Sequence, residues 1–471
     1  MEWGALEIAR LQFAMSVSFH IILAAFTIGL ALFLALMEGL WLWRKERHYW
    51  AAYEYWLKIY ALNVAVGIVS GVVLEYQFGT NWSVLSSRAG AVIGPLMFYE
   101  VLIAFFLEAG FLGIMLFGAK KVGPGLHFFA TCMVALGSLF SAFWILSANS
   151  WMHTPAGFRI DENGLFLPED WLAVIFNPSF PYRFAHMTVA TVLASACMIG
   201  AAGAWHLLRD RDNRAARVMF SYALWVLVIL GPAQAVIGDL HGLNTLEHQP
   251  QKVAAMEASW KRPAEGDGQP LVLFAWPDQN AQINHFELSV PHIGSLYLRH
   301  DWTGTIKPLS EYDADEIPFV PFVFFAFRVM VGIGIVLIAL GVAGAVARYR
   351  GTLYDARILQ RCMVLAAPSG FVALLAGWVV TETGRQPYTV YGLLRTAESV
   401  SAVPREMVVS SLLALFTVYV LIFFIGNTFL LRSLRQPPKV GEEGPTSELA
   451  ERIGEGALPK SAAAQGRGAD R

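Results

Sequence analysis

Charge is scarce in this 471-residue sequence. Asp, Glu, Lys and Arg make up only 15% of it, against 56% hydrophobic residues and a mean hydropathy of +0.50. A chain so poor in charge cannot clothe an ordinary water-soluble fold, which points to a lipid bilayer as its surroundings. The charges also nearly cancel, to a net −2, so no field of one sign draws nucleic acid and none is expected as a partner. Cysteine is scarce too. Cys132, Cys197 and Cys362 lie far apart in apolar runs, which excludes a disulfide framework and the spacing of iron–sulfur ligands. All three are expected to be small buried residues. The sequence has no internal repeat and no glycine-rich nucleotide loop. Its N-terminus has no basic stretch followed by a small-residue cleavage pattern, so the first apolar run is expected to remain as a span.

What the sequence does have is long apolar runs. Stretches of about 20 residues, the length that crosses a bilayer as helix, fall near 12–43, 55–76, 93–118, 126–148, 185–208, 218–240, 318–345, 362–381 and 406–431. They predict an all-α, polytopic transmembrane helix bundle of about nine spans. Basic residues follow alternate spans: Arg44, Lys45 and Arg47, then Lys120 and Lys121, then Arg209, Arg211, Arg214 and Arg217. Arg348, Arg350, Arg357 and Arg361 come next, and Arg432, Arg435 and Lys439 last. The positive-inside rule then puts the N-terminus in the periplasm and the C-terminus in the cytoplasm. Four segments are expected: spans one to six over 1–240, a periplasmic loop over 241–317, spans seven to nine over 318–435, and a disordered cytoplasmic tail over 436–471. A second outer loop runs over 149–184, and loops of such length usually carry function.

Ionisable side chains are costly in lipid, so each one inside a span is a functional candidate. They are His20, Glu100, Glu108, His186 and Arg328, with Glu75, Asp239 and Glu382 at span ends. His20 is expected on the order of 13 Å from the outer end of its helix. The predicted orientation gathers nearly all of them in the outer half of the membrane. A transporter is expected to place its polar groups near the midplane instead. A neutral imidazole in such a place suits haem iron; His186 and Met330 could form an axial pair, although a methionine in a helix also serves as packing. Glu100 and Glu108, eight residues apart, suit a proton relay or a pair of structural hydrogen-bonding acids. Arg328 could neutralise a haem propionate or one of these acids.

From about Leu11 to Leu431 the residues resemble subunit I of the cytochrome bd-type quinol oxidases. The resemblance is carried by Phe13–His20 (FAMSVSFH), Glu75–Trp82 (EYQFGTNW), Gly94–Glu108 (GPLMFYEVLIAFFLE), Trp144–Pro155 (WILSANSWMHTP) and Phe184–His186 (FAH). Lys252–Trp260 (KVAAMEASW), Pro277–Gln279 (PDQ), Phe325–Met330 (FAFRVM) and Gly384–Tyr388 (GRQPY) continue it. Each segment alone is weak; nine in order are specific. The resemblance implies three haems: a low-spin haem b with His186 and Met330 as axial ligands and Arg328 beside them, a high-spin haem b, and a haem d or a further haem b. His20 and Glu382 match the residues tied to the two active-site haems, with neither assigned to one of them. Glu100 and Glu108 match acids of proton delivery, and Lys252 and Glu257 match residues of quinol oxidation in the loop 241–317.

The implied activity is that of a respiratory terminal oxidase in a bacterial inner membrane. It would oxidise ubiquinol or menaquinol at the outer face and reduce dioxygen to water with cytoplasmic protons, without pumping. A second membrane subunit, subunit II, and a small single-span accessory subunit are the implied protein partners. Tyr388 stands where many members carry Trp, the segment Pro155–Phe158 (PAGF) resembles the cyanide-insensitive branch, and the quinol loop lacks a long insertion. No adjacent His–His pair marks a haem–copper oxidase. Two further readings stay open, a haem quinol dehydrogenase anchor without oxygen chemistry and a non-redox transporter.

Overall fold

The computed structural model describes residues 3–264 and 266–439. In chain order its elements begin with α1 (Ala5–Arg44), α2 (Arg47–Thr80), α3 (Ser83–Ile103), a π-helical turn (Ala104–Ala109), α4 (Gly110–Phe117) and α5 (Pro124–His153). Then come β1 (Phe158–Ile160), β2 (Phe166–Pro168), α6 (Trp171–Ile175), α7 (Phe180–Leu207), α8 (Arg214–His248) and α9 (Pro250–Met256). The second half holds β3 (Leu271–Asp278), β4 (Ile283–Val290), α10 (Ile293–Arg299), α11 (Val320–Tyr349), α12 (Arg357–Leu365) and α13 (Ser369–Thr383). It closes with β5 (Tyr388–Val390), β6 (Leu394–Arg395) and α14 (Arg405–Arg435). Among the described residues, nine helical stretches are long and apolar enough to cross a membrane. The all-α bundle of about nine spans is therefore the architecture found. Of the segment 436–471, expected to be a disordered tail, residues 440–471 lie outside the described residues.

The helices run past the apolar runs at most ends, because hydropathy reports the hydrocarbon core and not the helix. α1 has 40 residues where about 20 suffice to cross. His20 consequently lies about 22 Å from the start of α1 at 1.5 Å per residue, not the 13 Å expected. Glu108 lies nine residues before the end of the third span at Phe117. α8 continues to His248 and α5 to His153, so both long loops begin later than the apolar runs suggest. The larger is not a plain loop. It contains α9, the antiparallel β3–β4 hairpin and α10.

Local chemistry sets the ends and breaks. Asn213 caps α8 by accepting from Ala216 N at 3.0 Å, and Asp170 caps α6 by accepting from Leu172 N, each satisfying an orphan amide of a first turn. Pro124 opens α5, where its missing N–H costs nothing. The eighth span is broken into α12 and α13 at Ala366–Pro368, where the proline cannot continue the helix. In the third span Glu100 lies on α3 whereas Glu108 lies inside the π turn Ala104–Ala109, so the two acids are not on one regular helix. π turns of this kind recur at functional sites.

Small residues let the spans approach. α7 packs on α8 through Gly200 and Gly203: a Cβ at Gly203 would stand 2.7 Å from Phe220 N and 2.9 Å from Ala216 O, and one at Gly200 would run into Ala223 Cβ. In lipid such close van der Waals packing takes over the role that the hydrophobic effect has in water. Of the cysteines only Cys197 is buried; Cys362 is exposed, because α12 presents that side outward, correcting the expectation that all three are buried.

α11 provides a test on one helix. A Cβ at Gly341 would stand 2.5 Å from the backbone nitrogen of Val228, whereas one at Gly334 would meet nothing within 4 Å. Gly341→Leu is expected to destabilise the detergent-solubilised protein by about 1–3 kcal/mol through overpacking, and Gly334→Ala to leave its melting temperature unchanged. Equal melting temperatures for both variants would remove this helix contact.

Candidate functional site

The highest density of buried charge lies where α5 ends, α9 begins and α13 ends. Glu382, at the end of α13, accepts from Asn149 Nδ2 at 2.9 Å, from His153 Nε2 at 3.2 Å and from Arg385. On the other side of the His153 ring, Nδ1 accepts from Lys252 Nζ and from Gln249 Nε2, each at 3.3 Å. These partners assign the tautomer: the proton is on Nε2 and the lone pair on Nδ1. His153 is wholly buried, and Lys252 nearly so. Gly384 makes room for the lysine, since a Cβ there would stand 2.6 Å from Lys252 Cγ. Burial, with the nearby Arg183 guanidinium, holds the Lys252 ammonium well below its ordinary pKa, and Glu382 opposes the shift. Burial lowers Arg385 as well.

This cluster has more cations than anions. Arg183, Lys252 and Arg385 surround one carboxylate, and three of their buried donors, Arg183 Nε and Arg385 Nε and Nη1, have no hydrogen-bond partner among the described residues. Unpaired buried guanidinium donors are costly, and an anionic group between them removes the penalty.

His186 on α7 and Met330 on α11 belong to helices that both pack on α8 and α13. His186 Nδ1 is buried with no hydrogen-bond partner among the described residues. Glycines stand against both residues: a Cβ at Gly238 would lie 3.4 Å from His186 Cε1, and one at Gly377 would lie 2.9 Å from Met330 Sδ. His20 is treated the same way by Gly71, at 3.1 Å from Cε1. Ser70 Oγ donates to Gly67 O at 2.9 Å and therefore accepts from His20 Nδ1 at 3.0 Å. The free lone pair of His20 is then on Nε2, the form in which imidazole binds a metal.

Arg328 is held by four hydrogen bonds. It donates to Val272 O at 2.6 and 2.8 Å, to Met256 O at 3.0 Å and to Glu257 Oε2 at 2.8 Å. The acid Arg328 neutralises is thus Glu257, not Glu100 or Glu108. Glu257 is fully buried, and its second oxygen has no hydrogen-bond partner of good geometry among the described residues. Tyr297 faces it, and burial together with that carboxylate pushes the phenol well above its ordinary pKa. Lys252 and Glu257 therefore do not pair with each other; they point to different neighbours. Glu100 accepts from Ser141 at 2.7 Å and lies beside Glu75, while Glu108 accepts from Ser138 on the same helix as Ser141.

Several residues escaped the sequence reading. His153 and Arg385 lie inside quoted segments without having been singled out, and Arg183 lies three residues before His186. Glu38 and His127, both fully buried and 2.6 Å apart, are further ionisable groups within spans. His241 lies with its ring 5.6 Å from that of His186. Only the fold brings these side chains to their partners.

The family model for cytochrome bd terminal oxidase subunit I matches residues 8–438. The chain belongs to that family. Cytochrome bd ubiquinol oxidase subunit 1 of Bacillus subtilis (strain 168) is 33% identical over 93% of this chain and 94% of its own length. Cytochrome bd-II ubiquinol oxidase subunit 1 of Escherichia coli (strain K12) is 30% identical over 95% and 99%. Among solved structures, the bd oxidase from Geobacillus thermodenitrificans superposes with a TM-score of 0.84 at 28% identity, covering 93% of this chain and 99% of that one. This subunit I is accordingly a membrane-embedded oxidoreductase of respiratory electron transport, a terminal oxidase component, and its family implies haem cofactors. The transporter reading is set aside. The side chains fit such a group: imidazoles and a thioether flanked by glycines, and unpaired buried guanidinium donors suited to its carboxylate tails.

The Arg328–Glu257 pair is separable from the rest. Glu257→Leu is expected to cost about 3–5 kcal/mol by stranding a charge, and Glu257→Leu combined with Arg328→Met to recover much of it. Thermal unfolding of all three variants checks this; additive losses in the double variant would refute the coupling.

Proposed function

We propose that this subunit I carries three haems and couples quinol oxidation at the periplasmic face to reduction of dioxygen to water with protons from the cytoplasm, without pumping. His186 and Met330 would hold a low-spin haem b. His20 and Glu382 would serve a high-spin haem b and a haem d or further haem b, with Arg183 and Arg385 toward the carboxylate tails. Bound haem supplies electron storage and the oxygen chemistry.

What the chain itself supplies can be read from its side chains. Burial and the nearby Arg183 displace Lys252 toward its neutral form, the form that would accept a proton from a quinol hydroxyl. Glu257, fixed by Arg328 through Oε2, would offer its other oxygen as a second acceptor. Ser141 and Ser138 orient the Glu100 and Glu108 carboxyls, which would hold protons on the way to the oxygen site. His153 orients both Lys252 and Glu382, keeping the first shielded from water and the second from rotating.

One observation carries the reading. The segment bearing Lys252 and Glu257 is bonded at both ends to the candidate cofactor sites, Lys252 through His153 to Glu382 and Glu257 to Arg328, two residues from Met330. The quinol segment and the cofactor sites are one connected structure. The donor is ubiquinol or menaquinol. The two relatives quoted are named ubiquinol oxidases, and a third, from Bacillus subtilis and 28% identical, is named a putative menaquinol oxidase. Partners are dioxygen, the lipid bilayer, subunit II and a small single-span accessory subunit. The short quinol loop and PAGF segment fit the cyanide-insensitive branch. Tyr388, in place of Trp, donates to Glu316 Oε1 at 2.9 Å and so ties the turn after α13 to the quinol loop.

Quinol-driven oxygen uptake, with a reduced-minus-oxidised spectrum of the same purified complex, tests the proposal. His186→Ala is expected to remove the low-spin haem signal while the chain still inserts, and an unchanged spectrum would remove His186 as a ligand. Haem without oxygen uptake in the unaltered complex would favour a quinol dehydrogenase anchor.

The lysine and its histidine form a second test. Lys252→Ala is expected to lower quinol oxidation far more than haem content. His153→Leu should raise the KM for quinol, and His153→Gln, which can still donate to Glu382 and accept from Lys252, should restore it. Parallel loss of haem and activity in all three would mean that the cluster only supports the fold.

A further inference from the structure

The β3–β4 hairpin turns its apolar side away from the protein. Val272 and Ala275 are buried against α9 and α11, whereas Leu273, Phe274 and Trp276 on β3 and Phe286 and Leu288 on β4 are exposed, Phe286 by 85%. Strict alternation would send Leu273 and Phe274 to opposite faces. Register irregularities between Val272 and Phe274 and between Phe274 and Trp276 re-aim them to the same side. Phe286 has a φ of 52°, a left-handed conformation that is unfavourable for a bulky residue and that holds its ring outward. Water gains nothing from such an arrangement.

Contacts with α11 fix the height of this face. From Val329 to Val346 the helix carries no charge, a length of about 27 Å at 1.5 Å per residue, close to the thickness of the hydrocarbon core at about 30 Å. Arg328 therefore marks the membrane boundary. Val272 O is bonded to Arg328, the Trp276 ring lies 5.5 Å from that of Phe325, and Gln279 Oε1 accepts from Val320 N. β3 thus rises along the first turns of α11 from the boundary outward. The pairing of Leu288 with Phe274 and of His285 with Trp276 puts Leu288 and Phe286 at the same height. Phe322 on α11, also exposed, continues the patch.

We infer that this hairpin is an interfacial membrane anchor whose occupant is the headgroup–acyl boundary of the adjacent lipid leaflet. Aromatic side chains concentrate at that depth because their rings tolerate both apolar and wet surroundings. The anchor holds the segment of Lys252 and Glu257 at the level where a lipid-soluble substrate is dissolved. It stands whether or not those residues touch quinol.

Nitroxide labels test it in the complete complex in lipid nanodiscs. The exposed Cys362 is replaced by Ser, and the label is placed at Phe286→Cys or, independently, at Leu288→Cys, with Glu162→Cys in the other outer loop as a control for water exposure. Power-saturation measurements are expected to show oxygen colliding with the hairpin labels more often than a water-soluble nickel chelate does, with the ratio reversed at the control. A nickel preference at both hairpin labels would overturn the anchor by placing the face in water. Protection of both labels from oxygen and nickel alike would overturn it in favour of a protein covering the face.

Discussion

Glu382 is one carboxylate among three buried basic side chains, and much of one end of the bundle is arranged around it. Arg385 reaches it from the turn after α13, Asn149 and His153 from α5, and Lys252 from α9 by way of the His153 ring. Removing so many polar groups from water is expensive unless each finds a partner. Those demands explain why α5 runs on to His153, why Gly384 has no side chain and why the loop after α8 folds back as a helix against the spans. The positive surplus that remains is a chemical demand that a group with acidic tails would meet. The cluster thus links the architecture to the family's need for haem through electrostatics and without reference to motif.

The membrane boundary is the second constraint. Arg328 sits at the end of an uncharged helical run and has all its bonds directed sideways, to Val272, Met256 and Glu257. A guanidinium at that depth cannot be left bare. By consuming backbone carbonyls of α9 and β3 as well as a carboxylate, it fastens the extramembrane segment to the span carrying Met330. Glu257 and Lys252, five residues apart, are consequently drawn to different partners and hold α9 at two points.

How far the sequence was legible follows from the range over which each feature acts. Nine apolar runs suffice to predict nine spans because lipid imposes one length and one composition on every crossing. His20, His186 and Glu100 were found by their cost in lipid, a property of single residues. His153 and Arg385 were not, since they lie at helix ends where polar residues are ordinary, and their meaning depends on Lys252, which arrives from about a hundred positions away. The pairing of Arg328 with Glu257 was likewise hidden, being set by the fold of β3 and α9. Helix ends were underestimated for a related reason: hydropathy falls at the hydrocarbon edge, while hydrogen bonding continues into water, as α8 does to His248.

The hairpin shows the same principle operating outside the bilayer core. Its residues read in sequence as a short apolar segment within a polar loop, which ordinarily implies a strand packed inward. Only Val272 and Ala275 satisfy that implication; the irregular register sends the larger side chains the other way. In a water-soluble protein so many exposed aromatic and aliphatic residues on one small hairpin would favour association. Beside a helix whose charge-free run begins at the same height, the favourable surface is the lipid interface, and the strain at Phe286 is opposed by burial of its ring there. The same apolar face that sequence reading would assign to a core thus becomes intelligible as an outer surface once Arg328 has marked where the hydrocarbon begins.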